Sequence, residues 1–334
     1  MPTRDIVVVG GSAGSGAALK QLMSDLPADF PASLFIATHV PRESPGYLVD
    51  VLARLSSIPI AQAVDGQPIE RGRAYVAVPD RHLLVIDGTV RLGDGPRENM
   101  TRPAIDPLFR SAALSYGPRT VGVLLSGMLN DGASGLRAIK DCGGTAVVQH
   151  PLDAEADQMP LAALEIVNAD EVAAASDLGR VLTEIVCGEA GEPVSCPESV
   201  ALEVDIASGA RLGSEALRTI ADPSALSCPD CGGVLSEIRD QQPLRFRCQT
   251  GHAYTAEVVA ERTEEVDHAM RVALRIMEER VTLVGRMAED ARRTGRGAVA
   301  ELYETRAQEY SHYATVLRQA ALAAARGGQD GGRQ

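Results

Sequence analysis

The stretch Ile6–Gly16, with the sequence IVVVGGSAGSG, decides the fold around which the rest of the chain is organised. Its first four residues form an uninterrupted β-branched run, which is typical of a strand buried on both faces of a parallel sheet. Glycines end this run, and helix formers begin at Ala17. The order of strand, glycine turn and helix predicts that Ser12 lies on a sharp turn at the carboxyl end of a strand.

Three kinds of site use such a turn, and the sequence excludes two of them. No three glycines here have the G-x-G-x-x-G spacing of a dinucleotide site, and Ala17 stands where a phosphate-binding P-loop needs its lysine. The segment Gly10–Gly14 does fit G-x-S-x-G, the pattern that exposes a nucleophilic serine at the start of a helix. A glycine turn with a purely structural role is the alternative at this point.

The composition limits the class of protein. A chain of 334 residues with 45% hydrophobic residues favours two globular domains. No run of 18 apolar residues exists and the N-terminal apolar run is too short for a signal peptide, so we expect a cytoplasmic protein without membrane insertion. The net charge of −13 argues against nucleic acid as a partner. Six cysteines in such a chain favour a metal site or free thiols over disulfides.

Strand and helix patterns alternate up to about Val186. This alternation predicts an α/β fold with a doubly wound, mostly parallel sheet and helices on both faces. Besides the first strand, we expect strands at Ser33–Val40, Ile58–Ala63, Ala74–Val78, Thr120–Ser126 and Gly144–Gln149, and a hairpin around Asp87-Gly88.

Three polar residues follow strands of this predicted sheet: Ser12, His39 and Asp131. Ligands of such folds bind at the carboxyl ends of the strands, so the three side chains are expected to meet there. Serine, histidine and aspartate together are a nucleophile, a base and an orienting carboxylate. Taken singly, Ser12 could be a turn residue, His39 a core-edge histidine and Asp131 a helix N-cap.

The composition changes after Cys187. Residues 188–225 are interpreted as a linker, because Gly188–Pro197 is rich in Gly, Glu and Pro, and Ala201–Ala207 is expected to be a strand or an extended tether. Cys142, Cys187 and Cys196 have no partners at ligand spacing and are expected to be ordinary thiols.

A Cys-x-x-Cys pair and a Cys-x-x-x-His pair follow, with sixteen residues between them. Four such side chains suit a tetrahedral zinc ion, and four protein ligands leave no position for a substrate. We therefore expect a structural zinc site in a small zinc-ribbon-like unit over residues 226–256, with arms at Val234–Ile238 and Leu244–Arg247. The alternative is a metal-free unit with four reduced side chains. The predicted ligands are Cys228, Cys231, Cys248 and His252.

Two long helical patterns end the chain. Apolar residues recur in steps of three and four from Val258 to about Arg293 and again from Ala298 to about Ala325, which predicts an antiparallel helical hairpin over residues 257–326. The apolar stripes either bury each other or form a contact with a partner or a second copy. Gly327–Gln334 is expected to be a disordered tail.

Residues 5–187 resemble the catalytic domain of CheB, the chemotaxis protein-glutamate methylesterase of bacteria. The resemblance lies in GGSAGSG around Ser12, THVP around His39, RAYVAVPDRHL at 73–83, RPAIDPLFRSAA at 102–113 and LLSGMLNDGASGL at 124–136. It implies a catalytic domain at residues 1–187 in which Ser12, His39 and Asp131 form a triad. It also implies that the backbone N–H of Met128 is an oxyanion donor, and that catalysis needs no cofactor.

The activity that the resemblance implies is hydrolysis of glutamate γ-methyl esters on a chemoreceptor-like protein, with deamidation of glutamine as related chemistry. The family usually has Gly-Gly where this chain has Ser15-Gly16, and Ser15 fits if its φ is negative. Well-known members carry an N-terminal receiver domain, whereas Met1 here precedes the first strand by a few residues, so we expect no receiver control on the same chain. An esterase or amidase with another substrate and a non-catalytic signalling scaffold are the alternatives.

Overall fold

The computed structural model describes residues 2–44, 46–210, 213–239, 242–260 and 264–330. Contacts within the chain group it into two compact units, of which the first ends at Val259 and the second begins at Ala260. Among the described residues, no helix is both long and apolar enough to cross a membrane.

The described residues of the first unit form thirteen strands in three sheets. They are β1 (Ile6–Gly11), β2 (Ser33–Thr38), β3 (Ile60–Gln62), β4 (Ala74–Val76), β5 (His82–Ile86), β6 (Thr89–Gly93), β7 (Thr120–Leu124), β8 (Thr145–Gln149), β9 (Glu171–Ala173), β10 (Ala221–Ser227), β11 (Val234–Ile238), β12 (Arg245–Cys248) and β13 (Ala253–Thr255).

Helices connect these strands and also make up the second unit, and a short 3-10 turn at Gly117–Arg119 precedes β7. In chain order the helices are α1 (Ser15–Asp25), α2 (Tyr47–Ala53), α3 (Ile105–Tyr116), α4 (Ala133–Asp141), α5 (Gln158–Ile166), α6 (Ala175–Cys187), α7 (Glu198–Ser208), α8 (Ser214–Ile220), α9 (Ala256–Ala260), α10 (Glu264–Arg293) and α11 (Gly297–Asp330).

The central sheet has seven strands in the order β3-β4-β2-β1-β7-β8-β9, and every pairing in it is parallel. All six residues of β1 are buried, as its β-branched sequence predicts. Alternate residues belong to two cores: Val8 packs with α3, α4 and α5 on one face, and Val7 and Val9 pack with α1, α2 and α6 on the other. The predicted doubly wound α/β fold is therefore confirmed.

The strand order reverses at β1. The chain continues from β1 to β2 on one side, and later enters β7 on the other side. A crevice forms at such a switch point, outside the carboxyl ends of the strands. The segments that follow β1, β2 and β7 begin at this crevice.

The β5–β6 hairpin forms around Asp87-Gly88 as predicted, with φ values of 43° and 80° at the two turn residues. The prediction of a linker over 188–225 is wrong, because this segment contains α7, α8 and β10. Ala201–Ala207 is helical rather than extended. Glu203 is buried along with Val200 and Val204, and the contacts of these residues favour the helix.

The strands from β10 to β13 form an antiparallel sheet in chain order, which we call the ribbon. Its two predicted arms correspond to β11 and β12. The ribbon belongs to the same compact unit as the central sheet. Its own core is small and consists of Cys228, Leu235, Phe246, Cys248, Tyr254 and Val258.

The prediction that Cys142 and Cys196 are ordinary thiols is wrong, because the structure joins them in a disulfide. Their sequence separation of 54 residues gives no pairing signal, since only the folded path brings their Cα atoms to 4.7 Å. Cys187 is free and exposed, in agreement with its prediction.

The second unit is the predicted helical hairpin of α10 and α11, joined through a turn in which Gly295 has a φ of 74°. Ala288, Ala291, Ala300 and Ala314 are its buried apolar residues among those whose burial the structure describes. The prediction of a disordered tail from Gly327 is wrong as far as Asp330, because α11 includes these residues, and 331–334 lie outside the described part.

Candidate active site and metal-ligand group

The turn after β1 holds Ser12 at the edge of the central sheet. The Ser12 backbone N–H donates to the carbonyl of Ser126 at 2.9 Å, and the Ser15 hydroxyl donates to the Ser12 carbonyl at 2.7 Å. Gly14 has a φ of 74°, which lets the chain turn sharply into α1. Ser15 is the first residue of that helix and is not among the residues with positive φ, so it fits its position.

Ser12, His39 and Asp131 lie in one hydrogen-bonded row. The Ser12 Oγ is 2.9 Å from His39 Nδ1, and His39 Nε2 is 2.7 Å from Asp131 Oδ2. With the imidazole proton on Nε2, Nδ1 accepts the serine hydroxyl and Nε2 donates to the carboxylate. The structure thus brings together the three side chains that the sequence places after separate strands.

Asp131 is buried, with 2% of its surface exposed. Its Oδ2 also accepts the Ile105 backbone N–H at 2.7 Å, and its Oδ1 accepts the Asn99 amide at 3.0 Å. Burial acts to raise the pKa of the Asp131 carboxyl, but the hydrogen bonds from His39, Ile105 and Asn99 hold it below its ordinary value. The carboxyl is therefore ionised beside the imidazole at neutral pH.

A second buried carboxyl, Asp106, lies next to Asp131. Its Oδ1 accepts the backbone N–H groups of Gly132 at 3.1 Å and Gly135 at 2.6 Å. Burial and the neighbouring Asp131 charge raise the pKa of Asp106 to about 7, although Arg110 acts in the opposite direction. The site thus contains two acids with very different proton affinities, and only Asp131 reaches His39.

The loop from Gly127 to Asp131 lies beside the serine. Gly127 donates its N–H to the carbonyl of Ala156. The N–H of Leu129 donates to Gln158 Oε1 at 2.8 Å. Within the described part of the chain, the N–H of Met128 between them has no hydrogen-bond partner, and neither has that of Ala13. These two amides are therefore free to donate to a bound group.

One edge of the ribbon contacts this site. The Asn99 N–H donates to the carbonyl of Ala253 at 2.8 Å, and the Thr255 N–H donates to Asn99 Oδ1 at 3.1 Å. The Thr255 hydroxyl donates to Asn130 Oδ1 at 2.7 Å, and the Asn130 amide donates to Glu257 Oε2 at 2.6 Å. Strand β13 therefore holds residues that flank Asp131 in space and in sequence.

Buried charges join the same elements further from the site. Arg247 contacts Glu98 at 2.9 Å and Glu203 at 2.8 Å, and Arg110 also pairs with Glu98. Arg245 contacts Glu203 at 2.8 Å. Removing one member of such a group leaves its partner charged and buried, which costs about 3–5 kcal/mol. The ribbon, α3 and α7 are thus held together by an ionic cluster.

The four predicted metal ligands lie in one group, with their ligand atoms all within 4.8 Å of one another. Cys231 Sγ lies 3.7 Å from Cys248 Sγ, and His252 Nδ1 lies 3.5 Å from Cys248 Sγ and 3.7 Å from Cys228 Sγ. Zinc bonds of about 2.3 Å to sulfur and about 2.0 Å to nitrogen give tetrahedral edges of about 3.5–3.8 Å. The donor set and its spacing fit one tetrahedral ion.

Sequence reasoning did not identify Asn99, Asp106 or Asn130. Asn99 lies in a polar loop that matches no functional pattern, and its left-handed φ of 47° has no sequence signal beyond the tolerance of asparagine for it. Asp106 did carry a signal, because it is an acidic residue in the first turn of α3.

Three comparisons place these features among known proteins. The family model described as CheB methylesterase matches residues 7–182. A protein of Anaeromyxobacter dehalogenans named protein-glutamate methylesterase/protein-glutamine glutaminase 2 is 39% identical over 181 residues, which cover 54% of this chain and 53% of that protein. The chain thus spans about half the length of this relative.

A shorter relative from Leptospira interrogans is 40% identical over 169 residues, which cover 50% of this chain and 88% of its own. The crystal structure of the Thermotoga maritima CheB methylesterase catalytic domain superposes with a TM-score of 0.52 at 32% identity. The match covers 56% of this chain and all of that domain.

Proposed function

Because the chain belongs to the CheB methylesterase family, we propose that it is a serine hydrolase that cleaves glutamate γ-methyl esters on a chemoreceptor-like protein. The observation that carries this proposal is the row of hydrogen bonds from Ser12 through His39 to Asp131. The same groups can deamidate a glutamine side chain, because an amide and an ester react through the same tetrahedral intermediate.

The first half-reaction forms an acyl-enzyme. Ser12 Oγ attacks the carbonyl carbon of the γ-methyl ester and gives its proton to His39 Nδ1, while Asp131 accepts the Nε2–H and stabilises the imidazolium. The Met128 N–H and the Ala13 N–H donate to the oxyanion; each such donor contributes about 10²–10³-fold in kcat. Collapse of the intermediate breaks the bond to the methoxy group, which leaves as methanol with the proton from Nδ1.

The second half-reaction restores the enzyme. A water molecule gives a proton to His39 Nδ1 and adds to the acyl carbonyl, and the bond to Ser12 Oγ breaks. Nδ1 returns its proton to the serine, and the product leaves as a glutamic acid side chain, which releases its proton to solvent and becomes a carboxylate. With a glutamine substrate, ammonia leaves in place of methanol.

The test is methanol release from a methyl-esterified receptor fragment by the full chain. Wild type releases methanol, Ser12→Ala reduces the rate to the uncatalysed level, and Ser24→Ala is the matched control because that hydroxyl is exposed on α1 and bonds only its own turn and a neighbouring carboxylate. Equal release by wild type and Ser12→Ala contradicts the assignment of the nucleophile. Hydrolysis of simple esters but not of the receptor fragment favours an esterase or amidase with another substrate, and no hydrolysis of either favours a scaffold.

We further propose that Cys228, Cys231, Cys248 and His252 bind one structural zinc ion. The support is the fit of their spacing to a tetrahedral ion and the small core of the ribbon, which leaves the ribbon few other stabilising contacts. Bound zinc would link the turn at Cys228 to β12 and to the residue before β13, and it would take no part in the reaction.

The zinc proposal is tested by metal analysis of protein purified without added metal. About one zinc per chain is expected for wild type and for Cys187→Ser, the matched control with a free and exposed thiol, and much less for Cys231→Ser. A folded wild type without metal contradicts the proposal. A cytoplasmic location and a contact of α10 and α11 with a partner or second copy stay predictions, and light scattering of the full chain tests the second copy.

A further inference from the structure

Asn99 connects the ribbon to the carboxylate of the site through its side chain and its backbone. Its side-chain amide donates to Asp131 Oδ1 at 3.0 Å. Its side-chain oxygen accepts the Thr255 N–H at 3.1 Å, and its own N–H donates to Ala253 at 2.8 Å. Only 8% of the residue is exposed, so water cannot readily replace these partners.

The backbone of Asn99 adopts a conformation that its partners must maintain. Its φ is 47° and that of Met100 is 65°, both in the left-handed region that L-residues rarely adopt. Such conformations persist when surrounding contacts determine them. Two sets of contacts support this one. Glu98 and Thr101 exchange backbone hydrogen bonds of 2.9 and 3.3 Å around the pair, and β13 accepts the Asn99 N–H and forms a parallel bridge from Ala253 to Glu98.

The same strand fixes the other neighbour of the carboxylate. Asn130, directly before Asp131, is held by the Thr255 hydroxyl and by Glu257. Leu129 packs against the apolar core of the ribbon. Strand β13 follows directly after His252, so the last member of the metal-ligand group lies three residues from Thr255.

We infer that Asn99 is a positioning residue of the hydrolase, through which strand β13 and the metal-ligand group before it fix the orientation of the Asp131 carboxylate. The amide of Asn99 holds Oδ1, so that Oδ2 stays directed at His39. The inference rests on the proposed role of Asp131 in ester hydrolysis. The ribbon is then part of the active-site support rather than an appended module.

The expected kinetic signature follows from the charge that Asn99 stabilises. Its hydrogen bond is one of the causes that hold the pKa of Asp131 low. Among the described residues, the titratable groups that interact with Asp131 include His39, Asp106 and the buried His82, and Arg110 lies 3.9 Å beyond Asp106. Loss of the amide raises the pKa of Asp131, so the acid limb of the kcat profile moves to higher pH. KM for the ester changes little, because Asn99 is buried behind the carboxylate.

The experiment compares Asn99→Gly with wild type, since glycine accepts the left-handed backbone without strain. We expect kcat to fall at least tenfold with KM within twofold, and the acid limb to move upward. Ser224→Ala is the matched control, because its hydroxyl donates to the carbonyl of Leu235 elsewhere in the ribbon. We expect this substitution to leave kcat, KM and the acid limb unchanged. Should Asn99→Gly not fold, Asn99→Asp keeps an oxygen for Thr255 and removes the amide that donates to Asp131 at 3.0 Å and to Asp106 at 3.4 Å.

Removal of the metal is the second part of the experiment. Chelation of wild type lowers kcat and moves the acid limb in the same direction, whereas chelation of Asn99→Gly adds little to the effect of the substitution, because both act through one contact. Additive effects, or a fall in kcat without a shift of the acid limb, overturn the inference and leave Asn99 a structural residue only.

A readout that needs no substrate separates this inference from the proposed function. The side-chain amide protons of Asn99, assigned by comparison with Asn99→Asp, should shift in the NMR spectrum and exchange faster when metal is removed from wild type. An unchanged amide overturns the inference whatever the activity. A changed amide in a protein that hydrolyses no ester supports the inference and contradicts the proposed function.

Discussion

The two sides of the active site are held by different parts of the chain. On the serine side, the turn at Ser12 is held by residues of the central α/β region: Ser126 accepts its N–H and binds the Ala13 carbonyl, and Ser15 binds the Ser12 carbonyl. On the carboxylate side, Asn99 and Asn130 are held by β13 of the ribbon. The serine side thus lies wholly within residues 7–182 that match the family, and the carboxylate side depends on residues beyond them.

This difference shows that a family match can contain every reacting group and still omit part of their support. Ser12, His39 and Asp131 lie at strand ends of the shared sheet, and the direct partners of Asp131 also lie within residues 7–182. The later segment contributes the partners that hold Asn99 and Asn130. Substitutions on the two sides should therefore respond differently to changes in the ribbon and to removal of the metal proposed to bind there.

The largest effect is expected from the carboxylate that reaches His39. Asp131→Asn should lower kcat by about 10⁴-fold, because an amide at this position favours the wrong imidazole tautomer. Asp106→Asn, the matched control on the neighbouring acid, should lower kcat less than about tenfold, because Asp106 does not contact His39. Steady-state ester hydrolysis measures both, and equal losses would contradict the separate roles of the two carboxyls.

The carboxylate side also contains Asp106, whose protonation makes the stability of the folded chain depend on pH. The pKa of Asp106 is raised to about 7 from 3.8, so the folded chain keeps a proton that the unfolded chain releases. Its stabilising contribution is complete below about pH 4 and is lost as the pH rises through about 7. Between about pH 5 and pH 8 the free energy of unfolding of wild type should fall by on the order of 2 kcal/mol more than that of Asp106→Asn.

Urea unfolding at the two pH values measures this difference. Parallel pH dependence in wild type and Asp106→Asn would contradict it. Because the test compares slopes, a constant cost of the substitution itself does not affect the result.

A substitution on the serine side should reduce stability without involving the metal. In Gly14→Ala, the new Cβ would lie 2.5 Å from Glu155 Cβ and 2.7 Å from Ser126 Oγ, at a φ of 74°. The free energy of unfolding should fall by about 2 kcal/mol. Gly16→Ala is the matched control, because its Cβ meets no atom within 4 Å and α1 gains a better helix former. Chemical denaturation compares them, and a neutral Gly14→Ala would contradict the turn geometry.

The smallest and most discriminating pair removes one hydroxyl from each side. Ser126→Ala loses the bonds of its hydroxyl to Ala13 and Ala156, and Thr255→Val loses those to Asn130 and Val258. Each should cost about 1 kcal/mol, or roughly fivefold in kcat. Chelation should change the effect of Thr255→Val but not that of Ser126→Ala. Equal responses to chelation, measured as kcat with and without metal, would show that the two sides are not supported separately.

The sequence could predict the reacting groups because each lies close to a recognisable strand. Ser12 and His39 follow β1 and β2 directly, and the glycines around Asp131 indicate its turn. The grouping of Cys228, Cys231, Cys248 and His252 could be predicted from spacing alone. Asn99 could not, because its role depends on Thr255, which is 156 residues away. Helix α7 could not be predicted for the same reason. Its Glu203 is buried, and a buried glutamate is stable only with charged partners such as Arg245 and Arg247 beside it.

The ionic cluster sets a limit on how far the chain can be shortened. A fragment that ends near Cys187 would keep all three reacting side chains, but Glu98 would lose Arg247 and Asn99 would lose both of its ribbon partners. A fragment that ends after Val259 would keep these contacts and the metal-ligand group intact. The smallest autonomous hydrolase encoded by this sequence is therefore expected to be about 259 residues long, rather than the length of the family domain.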